Sequence, residues 1–300
     1  MAKLDGLLRH LARCLGGVVV AVCLVATPSA RAAALVTILD GEALLIEGAQ
    51  ALAAAEGLSL PDQTIIHTGP RTTLMRLEWP DGSVVDLGPD TRAMLGPSGF
   101  GPRDKRAPAL YLLQGWAKQA SADKGASAPG QVSLRYDLQA FNGVVVSFVG
   151  PEETWVFVES GSATLVERDA GATQRVGLRS GEVYQRSATN KGSVAPRPTP
   201  AQMQRVPRGF RDTLPHRADR FKDRKVDARV LAAPGYADLE VWLQAEPALR
   251  KEFPRRFASR AQDATFHAEL VKRLGQHPEW TPVLYPDRLN KPAAATGRTP

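Results

Sequence analysis

The stretch Thr73-Leu-Met-Arg-Leu-Glu-Trp-Pro-Asp-Gly-Ser-Val-Val-Asp-Leu87 has the pattern of two strands joined by a short turn. Apolar and charged residues alternate along its first half: Met75, Leu77 and Trp79 against Arg76 and Glu78. This alternation predicts a strand with one buried face and one solvent-exposed face. Asp81-Gly82 favours the positive φ angles of a tight turn, so the stretch predicts an antiparallel hairpin.

Similar short runs, rich in β-branched and aromatic residues, recur on both sides of this hairpin. The predicted strands are Leu35–Leu39, Glu42–Glu47, Thr73–Trp79, Ser83–Leu87, Thr91–Leu95, Leu110–Leu113, Val132–Leu138, Val144–Phe148, Thr154–Glu159, Ser162–Glu167 and Glu182–Arg186. Their spacing indicates an all-β sandwich, roll or barrel over residues 33–190. Gly41, Gly115 and Gly161 each directly precede a predicted strand, and glycine lets the chain turn or bulge there without a Cβ clash.

Four segments have the composition of loops, linkers or tails. Residues 97–108 and 121–130 are rich in glycine, proline and small residues, which predicts loops. Residues 191–209 contain a proline-dense stretch and are interpreted as a linker. Residues 291–300 are predicted to be a disordered tail.

The hydrophobic period changes to a helical one within residues 210–290. Asp263 can cap a helix that places apolar residues on one face and ends near Gly275. Glu246-Pro247 predicts the start of another helix, which Pro254 must bend or break. Tyr236–Gln244 favours a third, shorter one. We therefore expect a small, basic, helical C-terminal module.

The first 32 residues have the three parts of a secretory signal peptide. Lys3, Arg9 and Arg13 precede an apolar run, and a small-residue cleavage pattern ends at Ala32. The run is shorter than the roughly 20 apolar residues of a membrane span, so we expect no stable span after cleavage and a periplasmic location. Cys14 and Cys23, the two cysteines, lie in this segment, so the mature chain is expected to have no thiol or disulfide.

The charge divides the chain into two parts. Residues 33–200 hold 15 basic and 18 acidic residues, whereas residues 201–300 hold 19 basic and 12 acidic residues. This excess is too modest and too mixed in sign for nucleic-acid binding, which export also disfavours. An acidic partner remains open: anionic lipid, a cell-wall polymer or an acidic protein surface.

No residue pattern points to catalysis. The histidines beyond the signal segment are His67, His216, His267 and His277. None has a second histidine or a carboxylate at metal-ligand spacing. His67 is interpreted as a structural or surface histidine, and His277 as a residue at the end of a helix. Ser121-Ala-Asp-Lys124 matches a Ser-x-x-Lys motif, but its companion motifs are absent and it lies in a predicted loop. We therefore expect no catalytic residue, metal or cofactor, and a protein that is not an enzyme.

Taken together, Val36 to Arg186 resembles the periplasmic domain of the FecR family. The matching stretches are Gly57-Leu-Ser-Leu-Pro-Asp-Gln-Thr-Ile-Ile-His-Thr-Gly69, Leu77–Thr91 around Asp81-Gly82-Ser83, Leu110–Trp116 and Val176–Glu182. The resemblance implies a FecR-like β-sandwich or β-roll that binds or scaffolds in the envelope. The family's Gly-Thr-x-Phe-like step is altered here at Gly150–Trp155. The family's regulators also have a cytoplasmic anti-sigma part and a membrane span ahead of this domain, which we do not find in this sequence.

Two functions follow as hypotheses. The first is a non-catalytic periplasmic module that binds or scaffolds an envelope protein. The alternative is binding of peptidoglycan or another anionic glycan through the basic C-terminal module. The residues considered for that role are Trp242, Trp280, Tyr285, the cluster Lys222–Arg229, and Arg255, Arg256 and Arg260. The aromatic residues would equally serve as the core of the module. The sequence names neither a partner-binding residue, an oligomeric state, nor a link to iron uptake or sigma-factor signalling.

Overall fold

The computed structural model describes residues 33–100, 108–122, 128–168 and 174–286. The predictions for residues 1–32 and 291–300, for Lys124 and for most of the loop 97–108 lie outside these residues. The strands are β1 Ala34–Asp40, β2 Ala43–Glu47, β3 Gln50–Ala53, β4 Ser59–Leu60, β5 Ile65–Thr68, β6 Leu74–Glu78, β7 Val84–Leu87, β8 Arg92–Leu95, β9 Leu110–Ala120, β10 Ala128–Val132, β11 Tyr136–Val149, β12 Glu153–Glu167, β13 Arg175–Arg179, β14 Val183–Ser187, β15 Ser193–Ala195 and β16 Arg229–Val230. The α-helices are α1 Pro200–Arg205, α2 Tyr236–Leu243, α3 Pro247–Arg250, α4 Phe253–Arg256, α5 Ala264–Lys272 and α6 Thr281–Leu284.

All the strands belong to one mixed sheet, which confirms the mainly β prediction. Three long strands, β9, β11 and β12, run through two halves of this sheet. The first half-sheet has the order β15-β14-β12-β11-β9-β7-β6-β1-β4, and the second has the order β13-β12-β11-β10-β9-β8-β5-β2-β3-β16. The pair β9–β10 is parallel, and the other pairs are antiparallel.

Glycines mark where the long strands pass from one half-sheet to the other. Gly115 in β9, Gly143 in β11 and Gly161 in β12 have φ angles of 94°, 88° and 83°. Gly143 and Gly161 lie directly opposite each other, and a β-bulge follows at Val144 and Val145. Residues other than glycine rarely adopt such angles, so glycine permits the sheet to fold over on itself at this line.

The inner faces of the two half-sheets share one apolar core. Val36, Leu77 and Val156 come from the first half-sheet, and Leu45 and Ile66 come from the second. All five side chains are buried and belong to a single cluster. The sheet is therefore folded into two layers that pack face to face, the arrangement of a β-sandwich.

The outer face of each half-sheet also carries apolar side chains, and the C-terminal part of the chain covers both faces. On the first half-sheet, Val206, Phe210 and Leu214 pack against a cluster that includes Trp116 and Trp155. On the second, buried residues of α2 to α6 share one cluster with strand residues. Those strand residues are Ile46, Ile65, Met94, Tyr111 and Val132. We call residues 199–286 the C-terminal segment, because it is folded against the sheet along its length.

Several boundaries differ from the sequence prediction. The predicted linker contains β15, which pairs with β14, and α1, which Thr199 caps. Val132–Leu138 is interrupted, because the Ser133 hydroxyl accepts a hydrogen bond from the Tyr136 backbone N–H (3.2 Å) in a turn between β10 and β11. The strands predicted on either side of Gly161 are one strand, β12. Further strands, including β3, β5 and β13, were not predicted.

The hairpin and the helix signals are confirmed. β6 and β7 pair antiparallel, and the turn closes with Asp81 Oδ1 accepting from the Ser83 N–H at 2.9 Å. Positive φ is confined to Gly82 (82°), so the turn is a three-residue loop and not the two-residue turn that the Asp-Gly pair favours. Asp263 caps α5, and the helix predicted from Glu246 is divided into α3 and α4 near Pro254.

Gly143→Ala is expected to destabilise the protein strongly. An alanine Cβ there would lie 2.3 Å from the Ser160 carbonyl oxygen, and the strained φ alone costs about 1–3 kcal/mol. Gly177→Ala in β13 is the control, since no atom lies within 4 Å of its Cβ and its φ is not positive. Urea unfolding should show a much larger loss of stability for Gly143→Ala than for Gly177→Ala. An equal loss in the two variants would contradict the role of the positive-φ glycines where the long strands pass between the half-sheets.

Candidate functional site

A row of charged residues crosses the outer face of the first half-sheet. Arg76 on β6 lies opposite Asp86 on β7, which lies opposite Lys118 on β9. The Arg76 guanidinium donates to both oxygens of Asp86, at 2.7 and 2.8 Å. All three residues are buried. The sequence pattern predicted this face to be exposed to solvent, and that prediction is wrong.

The face is buried because a segment of the chain lies over it. We call residues 206–218 the strap. Lys118 Nζ donates to the Phe210 carbonyl (2.7 Å), and Arg76 Nη1 donates to the Leu214 carbonyl (2.9 Å). The charged row therefore supplies hydrogen bonds to strap carbonyls that would otherwise lose water without replacement.

Glu78 fixes the end of the strap. Its carboxylate accepts from the Thr37 hydroxyl (2.7 Å) and from the backbone N–H groups of Arg217 (2.9 Å) and Ala218 (3.4 Å). His216 Nδ1 lies 3.1 Å from the same carboxylate. Burial alone would raise the pKa of Glu78, but these hydrogen bonds to the charged form outweigh it and lower the pKa.

Arg76 is held in its charged form by the same cluster. Burial alone would lower its pKa, but the hydrogen bond and the charge of Asp86, together with the charge of Glu78, raise it. The pair is therefore a buried ion pair, and Arg76 also donates to the strap carbonyl of Leu214. Its chemistry is that of a structural clamp.

Polar contacts also fix the helices on the second half-sheet. Trp242 Nε1 donates to His67 Nε2 at 2.7 Å, and both side chains are buried. Arg256 donates to the carbonyls of Ile46 (2.8 Å) and Gln63 (2.8 Å), and burial lowers its pKa to about 10 against the opposing charge of Glu47.

Glu246, which was predicted to begin a helix, forms a third anchor between the helices and the sheet. It accepts from Arg168 in a bidentate ion pair, at 2.6 and 2.5 Å, and from the Tyr111 hydroxyl at 2.6 Å. The helical part of the C-terminal segment is thus attached to the sheet by an indole, a guanidinium and a carboxylate, as well as by its apolar face.

The aromatic residues of the C-terminal segment were considered either as a stacking surface for sugars or as the core of the helical module. Trp242 and Trp280 are fully buried, so they form the core under the helices and do not offer a stacking surface. Tyr285 is partly exposed. His67 is buried, which favours the structural interpretation over the surface one, and His277, at the end of a helical turn, is buried as well. His216 is exposed beside Glu78.

The predicted arginine cluster also divides into two groups. Arg256 and Arg260 bind backbone carbonyls, of Ile46 and Pro234 among others. The other predicted members, Lys222, Arg224, Lys225, Arg229 and Arg255, are exposed. Lys222, Arg224 and Lys225 follow the strap, and together with the exposed Arg220, which was not predicted, we call them the basic strip. Within the described residues, Lys222 and Lys225 form ion pairs with neighbouring aspartates, while Arg220 and Arg224 form none.

A cleft of about 480 Å³ lies where strand ends of the second half-sheet meet α2. His67, Arg92, Arg229, Asp90 and Glu42 line it. Sequence reasoning did not identify this group, because its members are far apart in the chain and follow no motif spacing. Within the described ranges, no group of three or more His, Cys, Asp or Glu residues could hold a metal ion.

The helices of the described ranges are too short and too polar to cross a membrane.

Comparison with solved structures gives partial matches. Two crystal structures of a candidate anti-sigma factor from Parabacteroides distasonis ATCC 8503, at 2.50 and 1.65 Å resolution, match the chain with a TM-score of 0.33 each and sequence identities of 17% and 19%. Each match covers 43% of this chain and 57% of the length of the crystal-structure chain. No family model matches the chain. No curated protein matches it either.

Asp86→Ala is expected to lower the free energy of unfolding by about 3–5 kcal/mol, because it leaves the buried Arg76 charge without its partner. Arg76→Met in the same chain removes that charge, so the double variant should be more stable than Asp86→Ala alone. Urea unfolding of the two single variants and the double variant measures this coupling. Additive losses would contradict a buried, coupled pair.

Proposed function

We propose that this chain is a non-catalytic binding module of the cell envelope that engages an acidic surface of another envelope protein. The observation that carries the proposal is the division of its charged residues. Those on the sheet, such as Arg76, Asp86 and Lys118, hold chain segments in place, whereas the basic strip is exposed and incompletely paired. The strip is thus an exposed basic surface that an acidic partner can reach.

The strip is held in a defined position, which favours a specific partner over loose electrostatic attraction. Glu78 fixes residues 216–218 at its beginning, and β16 pairs with β3 shortly after its end. Val226 packs against the inner core between these two points. A strip anchored at both ends loses less conformational entropy on binding than a free tail would.

The resemblance of Val36–Arg186 to the periplasmic domain of the FecR family supports placement in the envelope, as does the predicted signal peptide. Both are inferences from sequence. We take membership of that family, and a scaffolding role within it, as parts of the same proposal.

Binding of peptidoglycan or another anionic glycan is the alternative. The argument for glycan binding from aromatic residues is weakened, because Trp242 and Trp280 are buried and cannot stack on sugar rings in this fold. Its electrostatic part uses the same basic strip, so an experiment must distinguish a protein partner from a polymer.

Site-specific photocrosslinking in cells makes this distinction. A photoreactive residue in place of Arg220 is expected to form a discrete adduct with one protein, and Arg224→Glu in the same chain should reduce its yield severalfold. Like-signed charges brought together at an interface weaken binding. The control carries the photoreactive residue at Arg197, an exposed position outside the strip.

Adducts that contain glycan strands, or equal adducts from positions 197 and 220, would contradict the proposal. The full chain is used in each case, because the C-terminal helices share their core with the sheet and are not shown to fold alone.

A further inference from the structure

The cleft on the second half-sheet is built on a row of residues that lie side by side across five strands. Arg229 pairs with Ala53, Ala53 with Leu44, Leu44 with His67, and His67 with Arg92. Residues directly opposite each other in antiparallel strands point to the same face. The row therefore has a cation at each end and a largely apolar floor between them.

Arg92 has unused hydrogen-bonding capacity. Its side chain is half-buried, and its one hydrogen bond among the described residues is to the Thr68 carbonyl at 3.3 Å. A guanidinium has five N–H donors. When it is half-buried without a contacting carboxylate, the hydration that it loses is incompletely replaced. Burial lowers the pKa of Arg92, and Asp90 and Asp238 oppose this only from beyond ion-pair distance.

His67 supplies a second donor with a defined tautomer. The indole N–H of Trp242 can only donate, so His67 Nε2 accepts and the ring carries its hydrogen on Nδ1. The ring stays neutral, since burial, and then the charge of Arg92, lowers the pKa of His67 to about 3. The side chain is 7% exposed and lines the cleft, and Nδ1–H has no acceptor among the described residues.

Carboxylates form a second layer beside the row. Glu42 and Asp90 lie just before β2 and β8, at the ends of the strands that carry Leu44 and Arg92. Both line the cleft. The cleft thus has a donor layer, with Arg92 and His67, and an acidic layer next to it.

We propose that this cleft binds the zwitterionic main chain of a short peptide. Arg92 and His67 Nδ1–H hold the terminal carboxylate, and Glu42 and Asp90 hold the terminal ammonium. Leu44, Ala53 and Leu231 supply apolar surface for small side chains. Charges of both signs in adjacent layers favour a zwitterion over a simple anion, which the acidic layer would repel. The site shares no residue with the basic strip, so it is independent of the proposed protein docking.

Titration of the full mature chain with trialanine tests the proposal, with backbone amide NMR shifts as the readout. We expect saturable shifts at residues 41–44, 67–69 and 90–92. N-acetyl-trialanine and trialanine amide each lack one terminal charge, and each should bind about tenfold more weakly or worse, the loss expected for a charged hydrogen bond.

Arg92→Gln and Asp90→Asn should weaken trialanine binding by a similar factor. Asparagine tolerates the φ of 49° at position 90, so Asp90→Asn keeps a test available if Arg92→Gln folds poorly. Arg197→Gln is the control and should bind as the unchanged chain does. Absence of saturable shifts with trialanine, equal binding of the blocked peptides, or full binding by Asp90→Asn would overturn the proposal.

Discussion

Both half-sheets have apolar side chains on their outer faces as well as on their inner faces, and other parts of the chain must cover those outer side chains. Trp116 and Trp155 on one side, and Ile46, Ile65 and Met94 on the other, are buried by later parts of the same chain. Burying a large apolar side chain contributes about 1.5–3 kcal/mol. The strap and the helices are therefore an essential part of the folded unit. The position of the basic strip follows from this, because the chain must cross from one outer face to the other between residues 218 and 229.

Buried polar groups determine where the covering segments lie. Apolar contacts are not directional, so they would allow the strap to shift along the face. The bonds from Arg76 and Lys118 to strap carbonyls, and from strap N–H groups to Glu78, select one register. On the other face, the Trp242–His67 bond has a second effect, because it fixes the histidine tautomer and leaves Nδ1–H to the cleft. A hydrogen bond that stabilises the fold thus also orients a donor of the proposed peptide site.

Local signals in the sequence predicted local structure well. The hairpin at Asp81-Gly82, the cap at Asp263 and the break at Pro254 depend on residues within a few positions of one another, and all three are present. Contacts between distant residues were not predictable in this way. Arg76 and Glu78 alternate as exposed residues do, and only the strap, about 140 positions later, buries them. Gly161 was read as the boundary of two strands, because a glycine that bends one long strand looks the same locally. The cleft combines residues from five strands, so its composition required the strand register.

Native-state hydrogen exchange on the full chain tests the central claim that the C-terminal segment and the sheet unfold as one unit. The amides of α5 and those of the central strands β9 and β11 should exchange with the same free energy of opening. Trp242→Phe leaves His67 Nε2 without its donor and should lower both values equally, by about 1–3 kcal/mol. If α2 and α5 exchange through a much cheaper opening, and Trp242→Phe changes only their values, the helices are a separable appendage and the account is contradicted.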